Sequence, residues 1–339
     1  MVKEKNAIDI VVTWVSDQDP IWCKSKKEMQ KSMGIGNADG TEAVRFQDFG
    51  LLKYWFRAIE KYAPWARNIY LVVAIPSQLP KWLNQECEKL KIVYHKDIID
   101  EKYLPTFNTN VIEWNLHRIE GLSERFIYFN DDMYLCDYVG EHDYFDGKRI
   151  KEAFIMMAIQ PVDQFSQFLF NNTRILNKYF NKKKIVKNNL TKIFSLKYGV
   201  SIFKNILCFP WTYFTGFQTL HSAYPLTIEV MERIWELEGE LLVELCTHRF
   251  RHKDDVSLHL ASQYMMLSGG FIPKKVKDFK YYYDIVSDGS YEKALINRQY
   301  KEICLNDNVT PAEYEQTMGK LLKAFDRAFP EISSYETGE

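Results

Sequence analysis

Two acids and an amide stand together in Phe126-Ile127-Tyr128-Phe129-Asn130-Asp131-Asp132, at the end of an apolar run that reads as a buried strand. Adjacent carboxylates repel, so one is pushed toward its protonated form unless a cation lies nearby. Oxygen ligands alone at such a point suit Mg²⁺ or Mn²⁺, ions that also hold substrate phosphates. The plainer alternative is an Asp131 that caps the next element and an Asp132 in water. A second group combines Asn108, Glu113, His117 and Arg118. Glu113 and His117 lie four residues apart and would share a helix face, with His117 either a general base or a surface partner of Glu113. A third group, His248-Arg249-Phe250-Arg251-His252-Lys253, sets five cation-capable side chains before Asp254-Asp255 and an expected helix. Free amides and the helix dipole would add to them in binding an anion; a solvated loop is the alternative. No further ligand cluster supports zinc at His248 and His252. His221 stands alone, a structural histidine or a catalyst. Arg45, Asp48 and Arg57 either cap a helix start or hold phosphate or sugar. Acids for a metal, arginines for a diphosphate and an imidazole for a hydroxyl together point to nucleotide-sugar chemistry. Neither Gly-x-Gly-x-x-Gly nor a Walker loop is present, which argues against dehydrogenase and P-loop chemistry.

Such residues need a sheet to position them. Ile8–Val15 is a β-branched run typical of a strand buried on both faces, and it ends in Ser16-Asp17-Gln18-Asp19-Pro20. Ligands of open α/β sheets bind beyond such carboxyl ends. A glycine-containing loop then leads to a helix expected from about Asp48 to Tyr62, closed by Pro64. Strands are expected at Ile69–Ala74, Lys91–Tyr94 and Arg125–Phe129, with a helix over Thr109–Ile119. This alternation is that of a βαβ sheet. Further helices are expected within Phe165–Phe209, over Ile228–Leu242 and Asp255–Leu267, and over Pro311–Phe329, followed by a loose tail from Pro330.

With 339 residues, 46% of them hydrophobic, the chain has ample material for a packed core, and wholesale disorder is excluded. Its 44 Lys+Arg nearly balance 45 Asp+Glu. The balance hides a split. Between Asp163 and Glu229 lie 65 residues without an acid, holding eight Lys and Arg174, which leaves 35 bases against 45 acids elsewhere. Solvated lysines are the simplest use of Lys182-Lys183-Lys184; contact with a polyanion through these and Lys187 is the other. Trp211, Tyr213, Phe214 and Phe217 read as core rather than as a binding platform. The six cysteines are widely spaced and read as free thiols in a reducing compartment. No run approaches the ~18 apolar residues of a spanning helix, and no leader is evident. The expectation is a soluble cytoplasmic protein, at most peripheral at the inner face of the membrane.

The motifs resemble, in order, those of the Stealth family. Ile8–Val15 with Asp17 to Pro20 is similar to its first block. Arg45-Phe46-Gln47-Asp48 through Trp65, Leu104–Asn108, Leu116–Ser123 and Phe126–Asp132 are similar to its long second block. Phe217 to Pro225 and His248-Arg249-Phe250-Arg251 to Asp255 resemble the third, and Cys304-Leu305-Asn306-Asp307 with the helix to Phe329-Pro330 the fourth. Ser16-Asp17 departs from the usual residue followed by Gly, and His221 lacks the usual flanking proline.

That resemblance implies an α/β fold with a GT-A-like, mostly parallel sheet flanked by helices, plus a helical Lys-rich insertion. Residues 1–163 would form the N-terminal half of the catalytic domain, 164–210 the basic insertion, 211–330 the half completing the site, and 331–339 a tail. It implies transfer of a sugar 1-phosphate from a UDP-hexose or UDP-N-acetylhexosamine to a saccharide or polysaccharide hydroxyl. UMP would leave and Mg²⁺ or Mn²⁺ would be required, in synthesis of a phosphate-linked bacterial capsule or surface polymer. Thr13 and Trp14 would bind the nucleotide, and Arg45, Asp48, Asn108, His117, Arg118 and Asn130 the donor. Asp131 and Asp132 would be catalytic and hold the metal, with His221 and Arg251 at the reacting phosphate. Membrane contact is expected through 174–204, and no nucleic acid is expected as partner. The competing readings are a GT-A glycosyltransferase that releases UDP and a non-catalytic carbohydrate-binding protein.

Overall fold

A computed structural model describes residues 7–35, 49–306, 309–310 and 312–338. The strands are β1 (Ile8–Thr13), β2 (Ile69–Val73), β3 (Leu90–Tyr94), β4 (Arg125–Phe129), β5 (Met133–Leu135), β6 (Phe145–Asp146), β7 (Arg149–Glu152), β8 (Tyr224–Thr227), β9 (Phe271–Pro273), β10 (Phe279–Tyr282) and β11 (Glu302–Leu305). The main sheet has the order β3-β2-β1-β4-β8, parallel except for β8 at its edge. Its middle strands, IDIVVT, IYLVV and RFIYF, are buried along almost their whole length, as strands covered on both faces must be. Asp9 is the polar exception. Fully buried at the amino end of β1, its carboxylate accepts from Arg67 Nε (2.9 Å), Asn68 N (3.1 Å) and Ser123 N (2.7 Å).

The helix Leu52–Tyr62 packs on this sheet through a wide apolar face, and its Trp55 meets Phe129 edge-on with ring centroids 5.7 Å apart. A second sheet, β10-β11-β5, and a third, β6-β7-β9, are built from strands of two to four residues. The expected strands and long helices are present, mostly with shifted ends. The helix Pro20–Ser32, however, forms in the stretch read as loop. Asp19 caps it through Ile21 N (2.8 Å) and Trp22 N, and Pro20 occupies its first turn. The segment read as one helix over Thr109–Ile119 is a helix over Thr109–Trp114, then a 3-10 turn over Leu116–Arg118 after Asn115. Nor is the end of the chain loose. Tyr335 is buried against Phe56, and Glu336 accepts from Arg57 Nε and Nη2 at 2.8 and 2.6 Å.

The acid-free stretch folds as helices Gln164–Tyr179, Lys182–Asn188, Leu190–Ile193 and Ile202–Cys208. Lys182 corrects the reading of its triplet as uniformly solvated. Its ammonium is buried and donates to the carbonyls of Cys208 (2.6 Å), Trp211 (2.8 Å) and Tyr213 (3.3 Å). Only Lys183, Lys184 and Lys187 of the expected polyanion contacts are exposed. The aromatic group divides likewise: Phe214 and Phe217 are core, whereas Trp211 and Tyr213 are exposed. All six cysteines are free.

Candidate active site

Parallel register sets the carboxyl ends of β1 and β4 side by side, Val12 opposite Phe129. Thr13 and Asn130 follow those residues, and Trp14 and Asp131 come next. From β4, Tyr128 shares a 2.8 Å hydrogen bond with Thr13 Oγ1 and lies 3.1 Å from Glu113 Oε1. Burial pushes the Glu113 carboxyl up to about 7, against the opposing pull of the Arg251 guanidinium and the Tyr128 hydroxyl. Antiparallel pairing of β8 places Tyr224 opposite Tyr128. The Tyr224 phenol is held well above its ordinary range by burial first, then by the charges of Glu113 and Asp132. Its hydroxyl lies 3.5 Å from His259 Nε2. Burial pushes His259 down to about 3, with His221 adding to the effect, and pushes His221 down to about 4. The His221 ring stacks on Tyr281, centroids 4.1 Å apart, from a backbone at φ +47° that side chains rarely adopt.

Asp131 and Asp132 line a pocket with Trp14, Leu52, Tyr134 and Leu305. The second sheet supplies its far wall, where the Cys304 thiol donates to Asp132 Oδ2 at 3.3 Å. Trp14 also lines a larger cleft of about 290 Å³, bounded by Ser16, Asp19, Gly50, Gln78 and Trp82. The loop after β1 is firmly held there. Gln78 bonds Ser16 N and Ser16 O at 2.8 and 3.0 Å, and Ser77 Oγ donates to Asp19 at 2.6 Å. Asn130 Oδ1 is buried without a hydrogen-bond partner. Two adjacent carboxylates on one pocket, with an amide oxygen next to them in the chain, are hard oxygen donors of the kind Mg²⁺ or Mn²⁺ takes together with water and phosphate. Among the described residues, no group of three or more His, Cys, Asp or Glu could hold a metal by itself.

The other expected site residues lie elsewhere or act differently. Asn108 is fully buried, and its amide donates to His248 O (3.4 Å), Phe250 O (3.3 Å) and Asp255 Oδ2 (2.8 Å). Asp255 is the hub of that loop: it also accepts from Asn110 Nδ2 and His252 N, and its contact with His248 Nδ1 (2.7 Å) raises the histidine pKa. The loop is therefore tied around a carboxylate; the His248 and His252 rings lie 4.3 Å apart, while Arg249 and Arg251 go to different partners rather than joining them in one anion site at a helix start. The next helix begins only at His259, and Arg249 donates to Pro105 O and Lys102 O. Arg251 turns inward, 3.3 Å from Thr109 Oγ1 and close enough to Glu113 to act on its charge. The helix break at Asn115 separates Glu113 from His117, so the pair does not share a face. Glu113 meets Tyr128, whereas the His117 ring faces Trp235 and the Arg118 guanidinium lies over that same indole. Arg57 serves the chain end instead of the pocket. Arg45 and Asp48 lie outside the described residues. Tyr128, Tyr224, His259 and Cys304 also take part in the contacts of the candidate site, and none of them is among the residues expected to act here, because no motif reading of the sequence singles out their side chains.

Residues 45–153 match the family model for Stealth protein CR2, conserved region 2. The chain is 36% identical over 342 residues to a capsular polysaccharide phosphotransferase, WcwK, of Streptococcus pneumoniae, covering 99% of both proteins. This chain belongs to the Stealth family. A second relative, the exopolysaccharide phosphotransferase cps2G of Lactiplantibacillus plantarum, is 35% identical over 97% of this chain and 96% of its own. Among solved structures, the galactosyltransferase LgtC aligns over 92% of this chain and 95% of its own with 11% identity and a TM-score of 0.37, a superposition too loose to add to the family assignment.

Proposed function

We propose that this Stealth protein transfers a sugar 1-phosphate from a UDP-sugar to a saccharide hydroxyl, releasing UMP, in the synthesis of a phosphate-linked capsule or surface polysaccharide. The observation that carries this reading is the Asp131–Asp132 pair opening onto a pocket that shares Trp14 with the adjoining cleft. The names of the two relatives favour phosphoryl over glycosyl transfer. The cleft would take the nucleotide, with Trp14 against the base or ribose and the tethered Ser16–Asp19 loop fixing its position. The diphosphate would then lie toward Asn130, Asp131 and Asp132. These residues would hold Mg²⁺ or Mn²⁺, which when bound neutralises charge on the transferring group. Phosphoryl transfer asks the protein chiefly for positioning and charge compensation. Arg251 and the Tyr128 and Tyr224 hydroxyls would orient the reacting phosphate. Asp132 or His221 would accept the proton of the attacking hydroxyl; burial holds the His221 pKa down, which leaves its ring neutral but a weaker base than an ordinary imidazole. The protein would work on the cytoplasmic side, in peripheral contact with the membrane.

A panel of UDP-hexoses and UDP-N-acetylhexosamines, incubated with Mg²⁺ or Mn²⁺ and saccharide acceptors, tests this directly. UMP release with a phosphodiester resonance in the phosphorus NMR spectrum of the product is expected. UDP release would replace the reading with glycosyl transfer, and no nucleotide release with any donor would leave a binding protein.

A further inference from the structure

The helix Ile202–Cys208 is polar inside and apolar outside. Asn205, fully buried, donates to the carbonyls of Phe154 and Ile193 at 2.7 Å each and accepts from Met156 N at 2.6 Å. Its opposite face carries Phe203 and Leu207, 66% and 74% exposed. Leu196 and Val200 precede them at 90% and 83%, and Trp211 and Tyr213 follow. Nine of the nineteen large exposed apolar side chains among the described residues fall between Leu190 and Tyr213. Single exposed apolar residues are ordinary, but a concentration of this kind marks a surface with an apolar partner. The segment is also rigid where it matters, because Lys182 ties the carbonyls of Cys208, Trp211 and Tyr213 together.

Charge selects the partner. The surrounding 65 residues hold no acid, and Lys183, Lys184 and Lys187 are exposed on the helix that leads into the apolar stretch. A two-fold contact with a second copy would press this face against itself, cation against cation. An anionic bilayer offers acyl chains for the apolar groups and phosphate headgroups for the lysines, while Trp and Tyr favour the boundary between them. No helix of the described residues is long and apolar enough to cross a membrane, so the contact would be interfacial. We infer that residues 183–213 form a preorganised seat on an anionic lipid bilayer, with Phe203, Leu207 and Trp211 entering the acyl boundary and Lys183, Lys184 and Lys187 meeting headgroups. This deepens the membrane part of the proposed function and shifts the contact toward the C-terminus of the expected 174–204. Lys178 is engaged with Glu238, and Lys204 Nζ reaches back to Gln218, which lines the His221 pocket.

Flotation of the full chain with vesicles, without donor or acceptor, tests the seat independently of the chemistry. Binding to phosphatidylglycerol–phosphatidylcholine vesicles is expected, weaker by about tenfold or more on phosphatidylcholine alone. Phe203→Gln/Leu207→Gln should reduce binding about tenfold at an unchanged melting temperature. Leu196→Gln/Val200→Gln, on residues that contribute still less to the packed body, should reduce binding in the same direction and repeats the test if the first variant misfolds. Lys183→Gln/Lys184→Gln/Lys187→Gln should abolish the preference for anionic vesicles. Acyl-brominated lipid should quench the parent more than Trp211→Phe. The inference is overturned if the parent floats with neither vesicle or if the apolar variants float like the parent. A lipid-free dimer that the apolar variants dissociate would overturn it in favour of self-association.

Discussion

The carboxyl end of the main sheet and the acid-free insert both bury polar groups, but to opposite ends. In the insert, Lys182 is held by main-chain carbonyls and Asn205 by two carbonyls and the Met156 amide, and their role is to fix a loop and a helix. At the sheet end, Glu113, His221 and His259 have pKa values displaced by burial, and Asn130 keeps a buried oxygen without a partner. Burial displaces protonation in the insert too, lowering Lys182 and raising Tyr198, so what sets the sheet end apart is that its displaced groups gather around Tyr128 and Tyr224 beside two carboxylates that line a pocket. The same contrast holds within the sheet. Asp9 at the amino end is enclosed by an arginine and backbone amides, whereas Asp131 and Asp132 at the other end open onto a pocket.

Five variants probe this division. Asp132→Asn should lower UMP release by about 10²–10³-fold without lowering the melting temperature, since it removes charge from the pocket and nothing from the core. Full turnover would remove the sheet end from the chemistry altogether. Glu113→Gln should act on stability as a function of pH. Because the folded carboxyl is raised from 4.5 to about 7, the parent loses stability as pH rises through that interval, by about 3 kcal/mol at most. The variant should lack that loss, read as denaturation midpoints at pH 5 and pH 8; parallel curves for the two proteins would contradict the displaced carboxyl. Lys182→Met should cost about 1–3 kcal/mol by leaving three carbonyls without their donor, whereas Lys183→Gln/Lys184→Gln should cost nothing measurable in the same denaturation series. An equal cost for both would erase the distinction between the clamp and its exposed neighbours. Thr13→Val removes one hydrogen bond to Tyr128, and a loss of about 1 kcal/mol in chemical denaturation is expected.

Much of the fold was legible because β1, β2 and β4 are unbroken apolar runs between polar turns. The short strands of the second and third sheets were not, since two to four residues carry no periodicity. Asp19-Pro20 was a readable helix start that its position beyond β1 disguised as a ligand loop. Of the candidate site, Asp131 and Asp132 were legible as adjacent acids at a strand end, with a capping role for Asp131 left open as the alternative. Tyr128 and Tyr224 were not, because their hydroxyls acquire meaning only when β8 pairs with β4. Glu113 was noticed but paired with the wrong partner, since nothing before Asn115 announced that the helix would stop there.

The clasp between Tyr335–Glu336 and the helix Leu52–Tyr62 has a consequence for local opening. That helix brings Leu52 to the pocket lined by Asp131 and Asp132 at one end and is gripped through Phe56 and Arg57 further along. Its amide protons should therefore exchange with solvent as one unit with residues 333–337 rather than fraying from either terminus, so a cut at the C-terminal segment would be sensed at the floor of the pocket.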